Sequence, residues 1–308
     1  MKSRIITLAL LVLCIISCKE KVVVDNTQHA NPGRIDLYEN FKSAKFRPSN
    51  VLVWVPDDYN SNTQYAVLYM HDAQMLFDET TTWNKQTWNI DSIAASLQRN
   101  DRCRPFIIVG IENHPTDRLT EYLPTKIAYF LSTQNELMQA LNRSKLVGDE
   151  YLEFIVNELK PFIDSTYSTL PDAENTAIMG SSMGGLISLY AISEYPQVFG
   201  SAGCLSTHTP VAVDMLEEQA PIWSEAFRRY LMETLPKPGN NKIYMDCGDQ
   251  TIDSAYIPFQ KEFDAMFASL GWDDTNYMTR FYPGHAHDEI SWQSRLHIPL
   301  EWIFGKEE

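Results

Sequence analysis

One stretch limits what this chain can fold into: Ala177-Ile178-Met179-Gly180-Ser181-Ser182-Met183-Gly184-Gly185-Leu186. A short apolar run suited to a buried strand passes into Gly-x-Ser-x-Gly, and Leu186, Leu189, Tyr190 and Ile192 then recur at helical spacing. Strand, tight turn and helix together outline a nucleophile elbow. A serine hydroxyl is a poor nucleophile unless it is held off its own backbone beside a base, and such a turn lifts Ser182 out of the sheet. Gly180 and Gly184 flank it where a side chain would strike the neighbouring strand and helix. The new helix contributes N–H groups that favour an oxyanion, the first being that of Met183.

A strand-to-helix elbow needs a parallel sheet around it, and the rest of the chain supplies one. Ile35 to Tyr38 and Val51 to Val55 read as outer strands, and Tyr65 to Met70 as a buried one. Helix Ile90 to Leu97, strand Pro105 to Ile111 and helix Glu150 to Ile163 follow, leading into the elbow. Beyond it come strand Gly200 to Leu205, helix Ile222 to Glu233, strand Lys242 to Cys247, helix Tyr256 to Leu270, strand Tyr277 to Tyr282, and a last helix around Ile290 to Phe304. Such alternation predicts an α/β fold, a mostly parallel central sheet covered by helices on both faces. The 308 residues suffice for one large domain. Two long connections, Glu112 to Gly148 and Ser206 to Pro221, leave strand ends where open α/β sheets place ligand sites, so they are expected to wall the pocket.

The first 17 residues stand apart. Lys2 and Arg4 precede an apolar run, Ile5 to Ile16, too short to span a bilayer, and Ile15-Ile16-Ser17-Cys18 resembles a bacterial lipobox. The expected layout is a lipoprotein signal over 1–17, lipidation at Cys18, a flexible tether over 18–33 and the folded domain over 34–308. Lys19 in place of an aspartate after Cys18 implies an extracytoplasmic, lipid-anchored protein of the outer membrane, touching membrane only through that anchor. A formal charge of −15 argues against a nucleic-acid partner. Cys103, Cys204 and Cys247 sit in or beside apolar runs and read as buried free thiols.

An elbow expects its partners in the chain order serine, acid, histidine, each in a loop after a strand. After Cys247 comes Gly248-Asp249-Gln250-Thr251-Ile252-Asp253, offering two acids; after Tyr282 comes Pro283-Gly284-His285-Ala286-His287-Asp288, offering two bases. The histidine would take the Ser182 proton and the carboxylate would fix its tautomer. No third metal ligand is paired by spacing with His285, His287 and Asp288, so no metal is expected. The second oxyanion donor is expected from the loop after Met70, at Gln74. Trp83, Trp88, Tyr122 and Trp223 are the aromatic residues that could stack on a sugar or aryl group.

Tyr69 to Asp78, Glu121-Tyr122-Leu123-Pro124, Gly180 to Gly185, Asp246-Cys247-Gly248 with Ile252-Asp253, and His287-Asp288-Glu289 with Trp292 resemble, in order, the "putative esterase" family of the α/β hydrolases. That family includes feruloyl and acetyl-xylan esterases, siderophore esterases, the esterase D group and mycolyltransferases. The resemblance covers about residues 34 to 305 and implies Ser182 as nucleophile, His287 as base, Asp253 as acid, and backbone donors at Gln74 and Met183. Its usual His-Asp-Gly-Gln has Ala73 here in place of glycine. The expected activity is a serine esterase working through an acyl-enzyme, without cofactor, on polysaccharide-linked or other small exported esters. A siderophore or lactone hydrolase, an acyltransferase on the same triad, and a silent binding lipoprotein are the alternatives.

Overall fold

In the computed structural model the described residues are 23–24, 32–131, 146–211 and 219–306. The signal sequence, Cys18 and residues 25–31 of the tether lie outside them. Within the tether, Val23–Val24 (β1) pairs antiparallel with Leu37 and Asp36, so that part is an edge strand.

The apolar runs become β4 (Ala66–His71), β5 (Phe106–Ile111) and β6 (Thr176–Ser181), buried along their whole length, as expected of parallel strands covered on both faces. With β2 (Arg34–Phe41), β3 (Ser49–Val55), β7 (Ser201–Leu205), β8 (Lys242–Gly248) and β9 (Tyr277–Tyr282) they form one sheet. Its order is β1-β2-β3-β5-β4-β6-β7-β8-β9. Pairing is parallel from β5 to β9 and antiparallel at β1–β2, β2–β3 and β3–β5. The chain moves from β4 to β5 on one side and returns to place β6 on the other. That reversal opens a crevice at the C-terminal ends of β4 and β6.

The helices are α1 (Ile90–Arg99), α2 (Arg118–Tyr122), α3 (Ile127–Phe130), α4 (Gly148–Phe154), α5 (Lys160–Thr166), α6 (Met183–Glu194), α7 (Ala220–Thr234), α8 (Asp253–Ser269), α9 (Glu289–Arg295) and α10 (His297–Phe304). Sheet side chains alternate between two cores even inside the apolar runs. Val67, Tyr69, Val109 and Ile178 face the core under α2 to α8, and Leu68, Met70, Ile108 and Met179 face the core under α1, α9 and α10.

Three expected helices differ, two of them at a proline. Pro161 has no N–H for the carbonyl of Asn157, and a π turn, Ile155–Leu159, joins α4 to α5. Pro299 likewise cannot donate to Arg295, so the last helix is two, divided at Leu296. The helix expected from Tyr256 starts at Asp253, which puts that carboxylate in its first turn. The connection Glu112 to Gly148 is partly helical, holding α2 and α3. Cys103, Cys204 and Cys247 are free and buried.

Candidate active site

Ser182 lies between β6 and α6 at φ 56°, ψ −120°, a left-handed conformation that costs a non-glycine residue on the order of 1–3 kcal/mol. Tertiary bonds hold it there. Its N–H donates to the Leu205 carbonyl on β7 at 2.9 Å, and its own carbonyl accepts from Leu186 at 3.1 Å and His208 at 3.0 Å. A Cβ on Gly180 would stand 2.9 Å from the Gly184 carbonyl carbon, so the strand can pass the helix only as glycine.

Asp253, fully buried, meets His287 across the loops after β8 and β9: Nδ1 of His287 lies 2.5 Å from Oδ1. The other oxygen, Oδ2, accepts from the Ser206 hydroxyl at 2.6 Å and the Gly248 N–H at 2.7 Å. Burial raises the Asp253 pKa, but the bond to His287, that ring's charge, Ser206 and Gly248 together outweigh it and hold it below the usual carboxylate value. With Nδ1–H committed to Asp253, Nε2 is the nitrogen free to accept a proton. Two aromatic edges fix the ring plane, Tyr256 at 5.5 Å and 87° and Trp292 at 5.0 Å and 81°. Ser182 and His287 line one cavity of about 930 Å³ at the β4–β6 crevice.

The other acid and histidine of these loops, Asp249 and His285, bond the loops to each other. Asp249 Oδ1 accepts the Gly284 N–H at 2.7 Å, and the His285 carbonyl accepts from Asp249 at 3.2 Å and Gln250 at 3.0 Å. Thr251 Oγ1 accepts from the His287 N–H at 2.9 Å. A Cβ on Gly248 would lie 2.1 Å from the His285 carbonyl oxygen, so this glycine lets the two loops lie together. Asp249 and His285 staple the loops and stand off the cavity wall. Among the described residues no His, Cys, Asp and Glu side chains are grouped as a metal site.

Gln74 stands in a 3-10 turn, Ala73–Met75, entered through Asp72 at φ 59°. Met183 opens α6. The first N–H groups of a helix have no intrahelical partner, which leaves both available to an oxyanion. Alanine is accommodated at 73 because its Cβ faces Gly110, where a second Cβ would approach within 2.9 Å. The left-handed conformation falls on Asp72, whose carboxylate accepts from Nε and Nη2 of Arg118 at 2.8 and 2.7 Å.

His71 ties this turn to the nucleophile helix. Ser188 gives its proton to the Gly184 carbonyl at 2.7 Å, so it accepts from His71 Nε2–H at 3.1 Å, and His71 Nδ1 in turn accepts from the Tyr151 hydroxyl at 2.7 Å. His71 is therefore neutral, and burial pushes its pKa down to about 3. A histidine depressed in the folded state gives stability that is complete above its unfolded value of about 6.5 and lost as pH falls from there toward 3. The loss expected over that range is on the order of 5 kcal/mol. Urea midpoints measured from pH 7 to 4 should fall steeply, and His71→Gln should start lower and flatten the slope.

Sequence reading missed Ser206, Tyr256 and His208. Tyr256 follows Asp253 by three residues on one helical face, a spacing that could have drawn attention to it. Its hydroxyl lies 2.7 Å from His208 Nδ1 and also interacts with the Ser182 side chain. Of the four aromatic candidates, Tyr122 and Trp223 are core residues, Trp88 is buried yet lines the cavity, and Trp83 is 84% exposed at the cavity wall.

A parallel sheet, a serine elbow and an aspartate–histidine pair over one crevice define an α/β hydrolase. The chain belongs to the family described as "Putative esterase", whose model matches residues 44–297, and is a carboxylic ester hydrolase. The YbbA protein of Bacillus subtilis is 23% identical over 261 residues, 82% of this chain and 92% of that protein. An endo-1,4-beta-xylanase/feruloyl esterase of Xylanibacter ruminicola is 22% identical over 90% of this chain, which spans 32% of that longer protein. Among solved structures, an enterochelin esterase from Shigella flexneri superposes with a TM-score of 0.65 at 16% identity, covering 88% of this chain and 58% of the other.

Proposed function

We propose that this protein is a serine esterase that cleaves polysaccharide-linked or other small extracytoplasmic esters through an acyl-enzyme. The observation that carries this reading is the 2.5 Å contact of His287 with buried Asp253, beside a cavity that also holds strained Ser182. Ser182 Oγ attacks the ester carbonyl while His287 Nε2 takes its proton, and Asp253 stabilises the resulting imidazolium. N–H groups of Met183 and Gln74 receive the oxyanion, the proton passes to the departing alkoxide, and water repeats the sequence to release the acid. No step calls for a cofactor.

The walls favour a hydroxylated substrate. Asn84, Gln86, Asn113 and Arg118 line the cavity and Trp83 presents a bare ring at its mouth, a combination that suits a sugar face flanked by hydroxyls. The feruloyl esterase named among the relatives agrees with that choice. Two measurements test the reading. A fluorophosphonate should label Ser182, located by peptide mass, and a panel of acetyl, feruloyl, longer acyl and lactone esters should show turnover favouring sugar-linked esters. Absence of labelling would leave a binding module.

The anchor is a separate proposal, resting on the lipobox-like Ile15-Ile16-Ser17-Cys18. Cys18→Ser should move the protein from the membrane fraction to the soluble one, with specific activity unchanged. Among the described residues no helix is long and apolar enough to cross a membrane. Continued membrane association of the variant would rule the anchor out.

A further inference from the structure

Behind Asp253 lies a second set of buried polar groups that the reaction above does not use. Ser206, the first residue after β7, has φ 38°, a left-handed conformation, and no exposed surface. Its Oγ accepts from the Trp292 indole N–H at 3.0 Å and from Arg295 Nη2 at 2.8 Å. Both acceptor positions of the hydroxyl are then taken, so its one proton must go outward, and Asp253 Oδ2 stands 2.6 Å away. Arg295, 1% exposed, is held on Asp246 by Nε at 3.0 Å and Nη2 at 2.9 Å. Asp246 also accepts the Ser206 N–H at 2.8 Å and the Tyr244 hydroxyl at 2.8 Å. One chain of bonds thus runs from Asp246 through Arg295 and Ser206 to Asp253 and His287.

We propose that Ser206, oriented by Arg295 and Trp292, is a positioning residue that fixes the Asp253 carboxylate and through it the His287 imidazole. The inference rests on the triad reading of Ser182, His287 and Asp253. A hydroxyl that accepts from a guanidinium is a stronger donor, and its bond to a carboxylate is charge-assisted. Left-handed geometry at a serine is the cost of aiming that hydroxyl, since glycine would fit the same backbone without strain.

The charged and titratable groups near the pair include Asp246 and Cys247 on β8, Arg295 on α9, Tyr256 on α8, His208 after β7, and Asp288 and Glu289, which line the cavity beside His287. None of the others donates to Oδ2, where Ser206 and the Gly248 N–H are the two donors. Without the Ser206 hydroxyl the carboxylate is more basic and binds the His287 proton more strongly. The change is felt at the proton that His287 Nδ1 shares with Asp253 Oδ1.

Ser206→Gly removes the hydroxyl while relieving the backbone, so it should fold; Ser206→Ala is the second variant. The Nδ1–H proton resonance of His287, assigned by its absence in His287→Gln, should shift or broaden in both variants, because that proton sits in the bond to Asp253 that Ser206 orients. This readout needs no substrate, so it stands apart from whether the protein hydrolyses esters. On an ester that the wild type turns over, kcat should fall about 10- to 100-fold with KM within about twofold. An unmoved Nδ1–H resonance overturns the inference, even if activity falls. If the resonance moves in the variants but the wild type neither hydrolyses esters nor labels at Ser182, the esterase reading fails and the positioning of His287 stands.

Discussion

Ser182→Ala is expected to lower ester hydrolysis by about four orders of magnitude or more while leaving the melting temperature where it was. Activity vanishes because the acyl group has nowhere to attach. Stability holds because alanine at φ 56° carries the same backbone strain as serine, and the N–H bond to Leu205 and the carbonyl bonds from Leu186 and His208 involve main chain only. A companion variant makes the argument sharper. Ser182→Gly should be equally inactive yet more stable, by about 1 kcal/mol, since glycine occupies that conformation freely. Thermal unfolding with an activity assay checks both. Retained activity in Ser182→Ala with loss in Ser181→Ala would move the nucleophile by one residue.

The second large effect belongs to the aspartate–histidine pair. His287→Ala should cost several orders of magnitude in kcat/KM, and Asp253→Asn should approach it, about a thousandfold or more. The surroundings decide how an asparagine would sit. Oδ2 of Asp253 receives the Ser206 hydroxyl and the Gly248 N–H, so the amide oxygen must take that place and the NH2 must turn to His287. His287 would then accept at Nδ1 and carry its proton on Nε2, facing the serine as a donor. Asp249→Asn and His285→Ala should cost about tenfold or less, for Asp249 Oδ1 accepts from the Gly284 N–H and the Gln250 side-chain amide and His285 contributes its carbonyl. Steady-state kinetics of the four single variants compares them, and a larger loss at Asp249 or His285 would reverse the assignment.

Much of the fold is legible in the sequence because a strand buried on both faces leaves an unbroken apolar run, as at Tyr65 to Met70 and Pro105 to Ile111. The proximity of Ser182, Asp253 and His287 to one crevice follows from the rule that parallel strands end on one edge, so residues just past their ends meet there. What stays hidden depends on contacts between distant positions. Ser206 carries no spacing signal, since its partners Asp253, Trp292 and Arg295 lie 47, 86 and 89 residues away. Ala73 departs from the family's glycine, and its accommodation shows only when Gly110 is seen opposite it. The divided last helix was legible in principle, at Pro299, but the apolar spacing ran on through it.

The stapled loops after β8 and β9 carry a lesson for anyone recombining this enzyme with its relatives. Main-chain and side-chain bonds join 248–251 to 284–287 so closely that a one-residue insertion in either would pull its functional side chain out of register with the other. Crossovers placed between Gly248 and His287 should therefore give inactive chimeras even when both parents are active. Segments exchanged as a block from Lys242 to Arg295 keep both loops and the bonds that join them together.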